Sequence, residues 1–421
     1  MGGDMTASNI YEHSVKLEVN KCTGCTNCLR RCPTEAIRIS DGHARINDTR
    51  CIDCGECIRT CDNKAKKAVV GKLEDMDRFR YKIALPAPSL YGQFDNLDDV
   101  DYVLDGLLKI GFDDVYEVSK AAELVSAYTR LYLKTEGIKL PVISSACPVV
   151  VRLIALRFPS LNDNVMHMLP PMEVAAKLAR ERAKQRHPEL ADEDIGVCFI
   201  SPCPAKGSYV KNGFADYESN VDVVISMSDV YFSLISEMSR DEEITSVSES
   251  GMVGIGWATS GGEATALFND EYLAADGIEN VINVLEQIEN GNIPPVKFIE
   301  LDACTAGCVG GVLTVQNPYI AKTRLQSLRR YLPVSRNFLG PDEQEYIPEL
   351  YLFNELPEYE PITQLSHSMV ESMRMMADIQ KLRGILPGID CGACGAPSCR
   401  ALAEDIVRGR ARLEDCKIFG K

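Results

Sequence analysis

Cys22-Thr23-Gly24-Cys25-Thr26-Asn27-Cys28-Leu29-Arg30-Arg31-Cys32-Pro33 is followed by a second run with the same cysteine spacing, Cys51-Ile52-Asp53-Cys54-Gly55-Glu56-Cys57-Ile58-Arg59-Thr60-Cys61. Each run reads CxxCxxCxxxC, a spacing that holds 4Fe-4S cubes. In paired runs of this kind three cysteines bind one cube and the fourth crosses to the other. That rule assigns Cys22, Cys25, Cys28 and Cys61 to one cluster, and Cys51, Cys54, Cys57 and Cys32 to a second. Zinc is the alternative, but zinc sites usually use two separated CxxC hooks, and Pro33 completes the iron-sulfur signature. The opening segment is therefore expected to fold around two cubes and to carry electrons.

Composition agrees with a multidomain globular protein. The chain has 421 residues, 45% of them hydrophobic, enough for several buried cores. Seventeen cysteines at these spacings point to metal ligation rather than to a disulfide framework. No signal peptide is expected, no apolar run reaches the roughly 18 residues of a membrane helix, and a cytoplasmic location is expected. The net charge of −16 argues against nucleic acid and anionic membrane as partners. A basic stretch, Lys64, Lys66, Lys67, Lys72, Arg78, Arg80 and Lys82, is read as solvated surface, and the five histidines are assigned to no metal.

From Tyr81 onward short β-branched runs alternate with helical periods, the pattern of an α/β domain with parallel sheets. Strands are predicted at Tyr81–Leu85, Val142–Ser144, Val197–Ile200, Val221–Met227 and Val296–Glu300, and helices at Asp98–Ile110 and Pro171–Gln185. Chemistry in such sheets gathers beyond the carboxyl ends of the strands. Cys147, Cys203, and the pair Cys304 and Cys308 fall at three such ends. Four soft thiolates suit a further 4Fe-4S cube, and Gly307, Gly310 and Gly311 would let backbone approach it. Spacing alone leaves open a set of unrelated core thiols.

The sequences around these cysteines, Ser-Ser-Ala-Cys147-Pro, Ser-Pro-Cys203-Pro-Ala-Lys206 and Asp-Ala-Cys304-Thr-Ala-Gly-Cys308-Val-Gly-Gly, resemble the active-site signatures of the FeFe-hydrogenases. The resemblance extends from residue 81 to about 345. It implies an H-cluster, a 4Fe-4S cube bridged to a two-iron unit with carbon monoxide, cyanide and dithiolate ligands, fed by three accessory 4Fe-4S clusters. By position Cys147, Cys203 and Cys304 would hold the cube, Cys308 would bridge, and Lys206 would hydrogen-bond a cyanide. The family's vigorous members have a cysteine proton donor directly before the first ligand, where this chain has Ala146. The relay positions after Ala121-Ala122-Glu123-Leu124 become Thr129 and Tyr132, Tyr209 stands where a glutamate is common, and Val312 replaces a glycine. This combination resembles the sensory branch. Glu263, after Thr259-Ser260-Gly261-Gly262, and Asp302 are candidate replacement proton relays, each also readable as a structural carboxylate.

Cys391, Cys394, Cys399 and Cys416 resemble the small four-cysteine iron-sulfur domain of electron-transport subunits, with zinc as the alternative. Before them, Ser366–Leu386 is predicted helical, with Met369, Met373, Met376 and Ile379 as a contact stripe. The expected fold is an α/β H-cluster domain with parallel-type sheets (79–345), preceded by a bacterial-ferredoxin-like α+β two-cluster domain (1–78). A linker and helix (346–386) then lead to a small helical 4Fe-4S domain (387–421), read as an output port. The expected activity is reversible conversion of H2 to two protons and two electrons, slow and suited to hydrogen sensing in an anaerobic setting. Expected partners are H2 and protons, maturation proteins for the two-iron unit, and a redox partner such as ferredoxin or a signalling protein; a homodimer is allowed. Two other readings remain: a metabolic ferredoxin-linked hydrogenase, and a non-catalytic hydrogenase-like assembly or electron-transfer protein.

Overall fold

The computed structural model describes residues 11–213, 217–238, 244, 246–356, 361–362 and 364–419. Residues 357–360 and 363 of the expected linker lie outside them. The chain divides into two compact units, Met1–Val69 with Tyr359–Lys421, and Val70–Glu358.

In the first unit four short strands, β1 (Val15–Leu17), β2 (Ile37–Ser40), β3 (His43–Ile46) and β4 (Lys66–Ala68), form two antiparallel pairs, β1 with β4 and β2 with β3. One-turn helices, Asn27–Arg30 and Glu56–Arg59, carry the third cysteine of each run. The core here is small, Leu29, Ile37 and Ala44 with partly buried cysteines, so metal ligation must supply much of the cohesion.

The C-terminal cysteines belong to the same unit and are not set apart from the other accessory centres. Arg30 donates to the Cys391 carbonyl, Arg38 to Asp405 and Arg50 to Glu404, each at 2.6 Å, and the Ile39 amide donates to the Gly395 carbonyl at 2.9 Å. Gly395 takes φ +86°, and a Cβ there would collide with the Ile39 carbonyl oxygen, so the joint requires glycine. Helix Met369–Ile385 packs on helix Cys399–Val407 around Ile379, Leu386 and Leu402. The expected methionine stripe is corrected: Met369, Met373 and Met376 are exposed, and the packed face is Met375, Ile379 and Leu382, spaced i, i+4, i+7. Lys66, read as surface, is 3% exposed.

The second unit is built on two parallel sheets. One has the order β6 (Asp114–Val115), β5 (Tyr81–Pro86), β8 (Ile195–Ser201), β9 (Val223–Ser226); the other has β10 (Tyr272–Asp276), β11 (Phe298–Asp302), β7 (Val142–Ile143). All seven residues of β8 are buried, as a central parallel strand covered on both faces requires. The five predicted strands and both helices are present, the helices as Asp101–Lys109 and Pro171–Arg186. Missing from the prediction were β6, two residues long, and β10, whose Tyr-Leu-Ala-Ala-Asp lacks β-branched residues and lies half-exposed at an edge. No helix among the described residues is long and apolar enough to cross a membrane.

Candidate active site

Three strands of the second unit end at the site. Beyond β7, Cys147 caps helix Pro148–Arg157, and beyond β8, Cys203 caps helix Pro204–Asn212; each helix starts on proline, which costs nothing at its first position. Beyond β11 lie Cys304 and then Cys308, the latter opening a 3-10 turn. All four cysteines line one cavity, together with Ala146, Lys206, Glu263, Glu300 and Asp302. A Cβ on Gly310 or Gly311 would collide with the carbonyl oxygens of Thr305 or Pro202, so the wall that carries Cys308 closes only with glycines.

Burial dominates the electrostatics. It lifts the Cys147 thiol to about 11, with Cys203 and Asp302 adding to the effect. Cys308 is pushed well above the usual thiol range by burial, then by Asp302, with Lys206 opposing. Thiols this reluctant to ionise become good ligands when a metal supplies the compensating charge. Lys206 is 9% exposed, and its ammonium donates to the Ala146 carbonyl at 3.3 Å. The donor set, the glycine wall and the buried cation fit an iron-sulfur assembly with anionic ligands.

Glu263 is buried on the cavity wall. Ser144 Oγ donates to its Oε2 at 2.7 Å, while Oε1 has no hydrogen-bond partner among the described residues. Burial first, and Asp302 after it, raise its carboxyl to about 8 against the opposing Ser144 bond. Glu300, which sequence reading left as a strand residue, is raised by burial to about 7 and accepts the Gly261 and Ala264 amides at 2.8 and 2.7 Å. Asp302, raised by burial and then by Glu300, shares a hydrogen bond with that carboxyl. The signal for Glu300 was its period-two spacing from Asp302, which places both on one face of β11.

The outer proton path was expected to be broken at Thr129 and Tyr132. Thr129 spends its hydroxyl on the Val125 carbonyl at 2.9 Å. Glu123 is a structural clamp whose carboxylate accepts from the Gly251, Arg336 and Asn337 amides and from Ser335.

The accessory cysteines also group as their spacing requires. Cys22, Cys25, Cys28 and Cys61 line one cage, and Cys51, Cys54, Cys57 and Cys32 another. Cys394, Cys399 and Cys416 belong to the C-terminal core cluster, and burial first, with Cys416 and Cys391 after it, raises the Cys394 thiol. Sequence reading missed the place of His13, whose ring nitrogen lies within 4.8 Å of Cys51 sulfur and an Asp53 oxygen.

Parallel sheets with four cysteines at their strand ends, joined to cube-binding modules, define an iron-sulfur oxidoreductase. Residues 80–269 and 235–312, which together span more than half of the chain, match the iron only hydrogenase large subunit, C-terminal domain, and the chain belongs to that family. Residues 14–62 match a 4Fe-4S dicluster domain and 386–418 a putative Fe-S cluster domain. Among solved structures, a variant of FeFe-hydrogenase HydA1 from Chlamydomonas reinhardtii is similar at 16% identity, TM-score 0.46, covering 66% of this chain and 88% of that one. A HydA structure described as a step in H-cluster assembly is similar at 18% identity, TM-score 0.44, with the same coverage. A stretch of 43 residues, 10% of this chain, is 46% identical to a component of the ion-translocating oxidoreductase complex of Cereibacter sphaeroides. A stretch of 39 residues, 9% of the chain, is 49% identical to a component of the Na(+)-translocating ferredoxin:NAD(+) oxidoreductase complex of Acetobacterium woodii. The chain spans only 23% and 12% of those two relatives.

Proposed function

We propose that the chain is an FeFe-hydrogenase of sensory type, reversibly converting H2 to two protons and two electrons at low turnover. The observation that carries this is a cavity lined by four cysteines and Lys206 in which the residue before the first ligand, Ala146, holds no proton. Cys147, Cys203 and Cys304 would hold the cube, Cys308 would bridge to the two-iron unit, and Lys206 would donate to an anionic ligand. When bound, the two-iron unit supplies the centre at which H2 is split. Glu263 takes the part of proton holder: Ser144 fixes its Oε2, and Oε1 has no hydrogen-bond partner among the described residues. Three accessory 4Fe-4S clusters relay electrons to a ferredoxin or a signalling protein in the cytoplasm, and maturation proteins supply the two-iron unit.

Hydrogen oxidation by the matured protein, with an artificial dye and then with ferredoxin as acceptor, tests this reading. Slow but measurable oxidation with the dye supports it, and brisk turnover with ferredoxin favours the metabolic hydrogenase. The short match to components of ion-translocating complexes supports a second reading, an electron-transfer protein without hydrogen chemistry. Fully loaded cubes with no hydrogen oxidation would be its signature.

A further inference from the structure

The two ferredoxin-type cages are related by an internal repeat that carries Cys22 onto Cys51, Cys32 onto Cys61, Ala36 onto Ala65 and Ile37 onto Lys66. Geometry is kept across it. The Ala36 amide donates to Cys32 Sγ and the Ala65 amide to Cys61 Sγ, each at 3.2 Å. Glu35 and Lys64, also equivalent, both take positive φ, 50° and 49°.

Charge is not kept. Ile37 lines the cage of Cys51, Cys54, Cys57 and Cys32, while Lys66 takes the equivalent place on the wall of the Cys22, Cys25, Cys28 and Cys61 cage. Lys66 is 3% exposed and its ammonium has no hydrogen-bond acceptor among the described residues. An unpaired buried ammonium is costly, and the acceptors that belong in this cage are cluster sulfurs. The second break in the repeat has the opposite sign. Gly24 at φ +66° is equivalent to Asp53 at φ +52°, and a Cβ on Gly24 would press on the Gly42 carbonyl oxygen at 2.7 Å. Asp53 is 1% exposed, accepts the Val15 amide at 3.0 Å, and has an oxygen 3.8 Å from Cys51 Sγ. His13 closes the same corner and is held 2.7 Å from Asp48.

We infer that Lys66 and Asp53 give the two cubes unequal reduction potentials, so that the cube of Cys22, Cys25, Cys28 and Cys61 accepts an electron before that of Cys51, Cys54, Cys57 and Cys32. Reduction adds one electron, hence one negative charge, to a buried cube. A cation on the wall favours that step and an adjacent carboxylate opposes it, and both effects are strong where water is excluded; Lys66 acts on Cys28 of the first cage and also reaches Cys57 of the second, so its pull is shared, whereas Asp53 acts on Cys51 and Cys57 of the second cage. The first cube then stores the electron, and the second is the step that an electron must climb. The inference rests on the accessory-cluster assignment and not on hydrogen chemistry at the second unit.

The test is a redox titration followed by electron paramagnetic resonance, on full-length protein reconstituted with iron and sulfide and lacking the two-iron unit. Two separated ferredoxin-type steps are expected in the native protein. Lys66→Ile, which installs the residue that the other cage already accepts, should shift the higher step down by at least tenfold in reduced-to-oxidised ratio, about 59 mV for one electron. Asp53→Asn should move the lower step up and leave the higher one in place. If Lys66→Ile loads poorly, the mirror variant Ile37→Lys should raise the lower step instead. Coincident steps in the native protein, or a higher step that stays put in Lys66→Ile and a lower step that stays put in Ile37→Lys, would overturn the inference.

Discussion

Ser144 and Glu263, 119 positions apart in sequence, are joined by a 2.7 Å hydrogen bond in which the serine hydroxyl donates to Oε2, and Ser144 Oγ itself accepts the Ala146 amide at 3.1 Å. The residue that cannot carry a proton, Ala146, is thus tied through one hydroxyl to the carboxyl that can. Because Ser144 occupies Oε2, the proton of Glu263 belongs on Oε1.

Glu263→Gln keeps the shape and removes the acid, so hydrogen evolution should fall by about 10² to 10⁴ with iron content unchanged. The pH profile gives the sign. With the carboxyl raised to about 8, Glu263 holds its proton below that value and loses it above, so evolution by the native protein should decline as pH rises through about 8. The glutamine variant should lack this inflection. Equal rates and equal profiles would remove Glu263 from the path.

Ala146→Cys places a thiol beside the cavity without disturbing the Lys206 bond, which uses the backbone carbonyl. Hydrogen evolution should rise by up to about 10² and still fall short of a vigorous enzyme, because Thr129 is committed to a backbone carbonyl. A comparison of initial rates at matched iron content decides it.

Gly311→Ala should destabilise the second unit by about 1–3 kcal/mol, since the new methyl would meet the Pro202 carbonyl beside Cys203. Thermal unfolding measures this, and iron retention at the four-cysteine cavity should fall with it.

Arg50→Ala should loosen the C-terminal module. Burial alone would raise Glu404, but Arg50 and Arg408 outweigh it and hold the carboxyl below its usual range. That contribution is therefore present above the ordinary carboxylate value and lost as pH falls. Breaking a buried pair from one side costs about 3–5 kcal/mol, and Arg408, still 3.0 Å from Glu404, keeps the loss near the low end. Faster proteolytic release of residues after 361, more so in acid, is the expected result.

Cysteine spacing made most of this molecule legible, because a cube fixes both which residues meet and which cross. Cys61 lines the cage of Cys22, and Cys32 lines that of Cys51. The wide separation of Cys147 from Cys308 was bridged only because both lie at strand ends, and five buried strands were strong enough to read. What stayed hidden depended on partners distant in sequence. Glu300 takes its place on the cavity wall through Asp302 and the Gly261 loop, Lys66 is buried by folding rather than by composition, and the Arg38–Asp405 and Arg50–Glu404 pairs span more than three hundred residues. The edge strand β10 was missed because its alanines favour no strand.

The infrared spectrum of the protein after anaerobic maturation tests the central claim most directly. Four cubes and one two-iron unit correspond to about 18 iron atoms per chain. Bands from bound carbon monoxide and cyanide, shifted in Lys206→Met through loss of the ammonium hydrogen bond, are the predicted result. A protein fully loaded at about 16 iron atoms per chain that shows no such bands, under conditions where an active family member acquires them, would contradict the account.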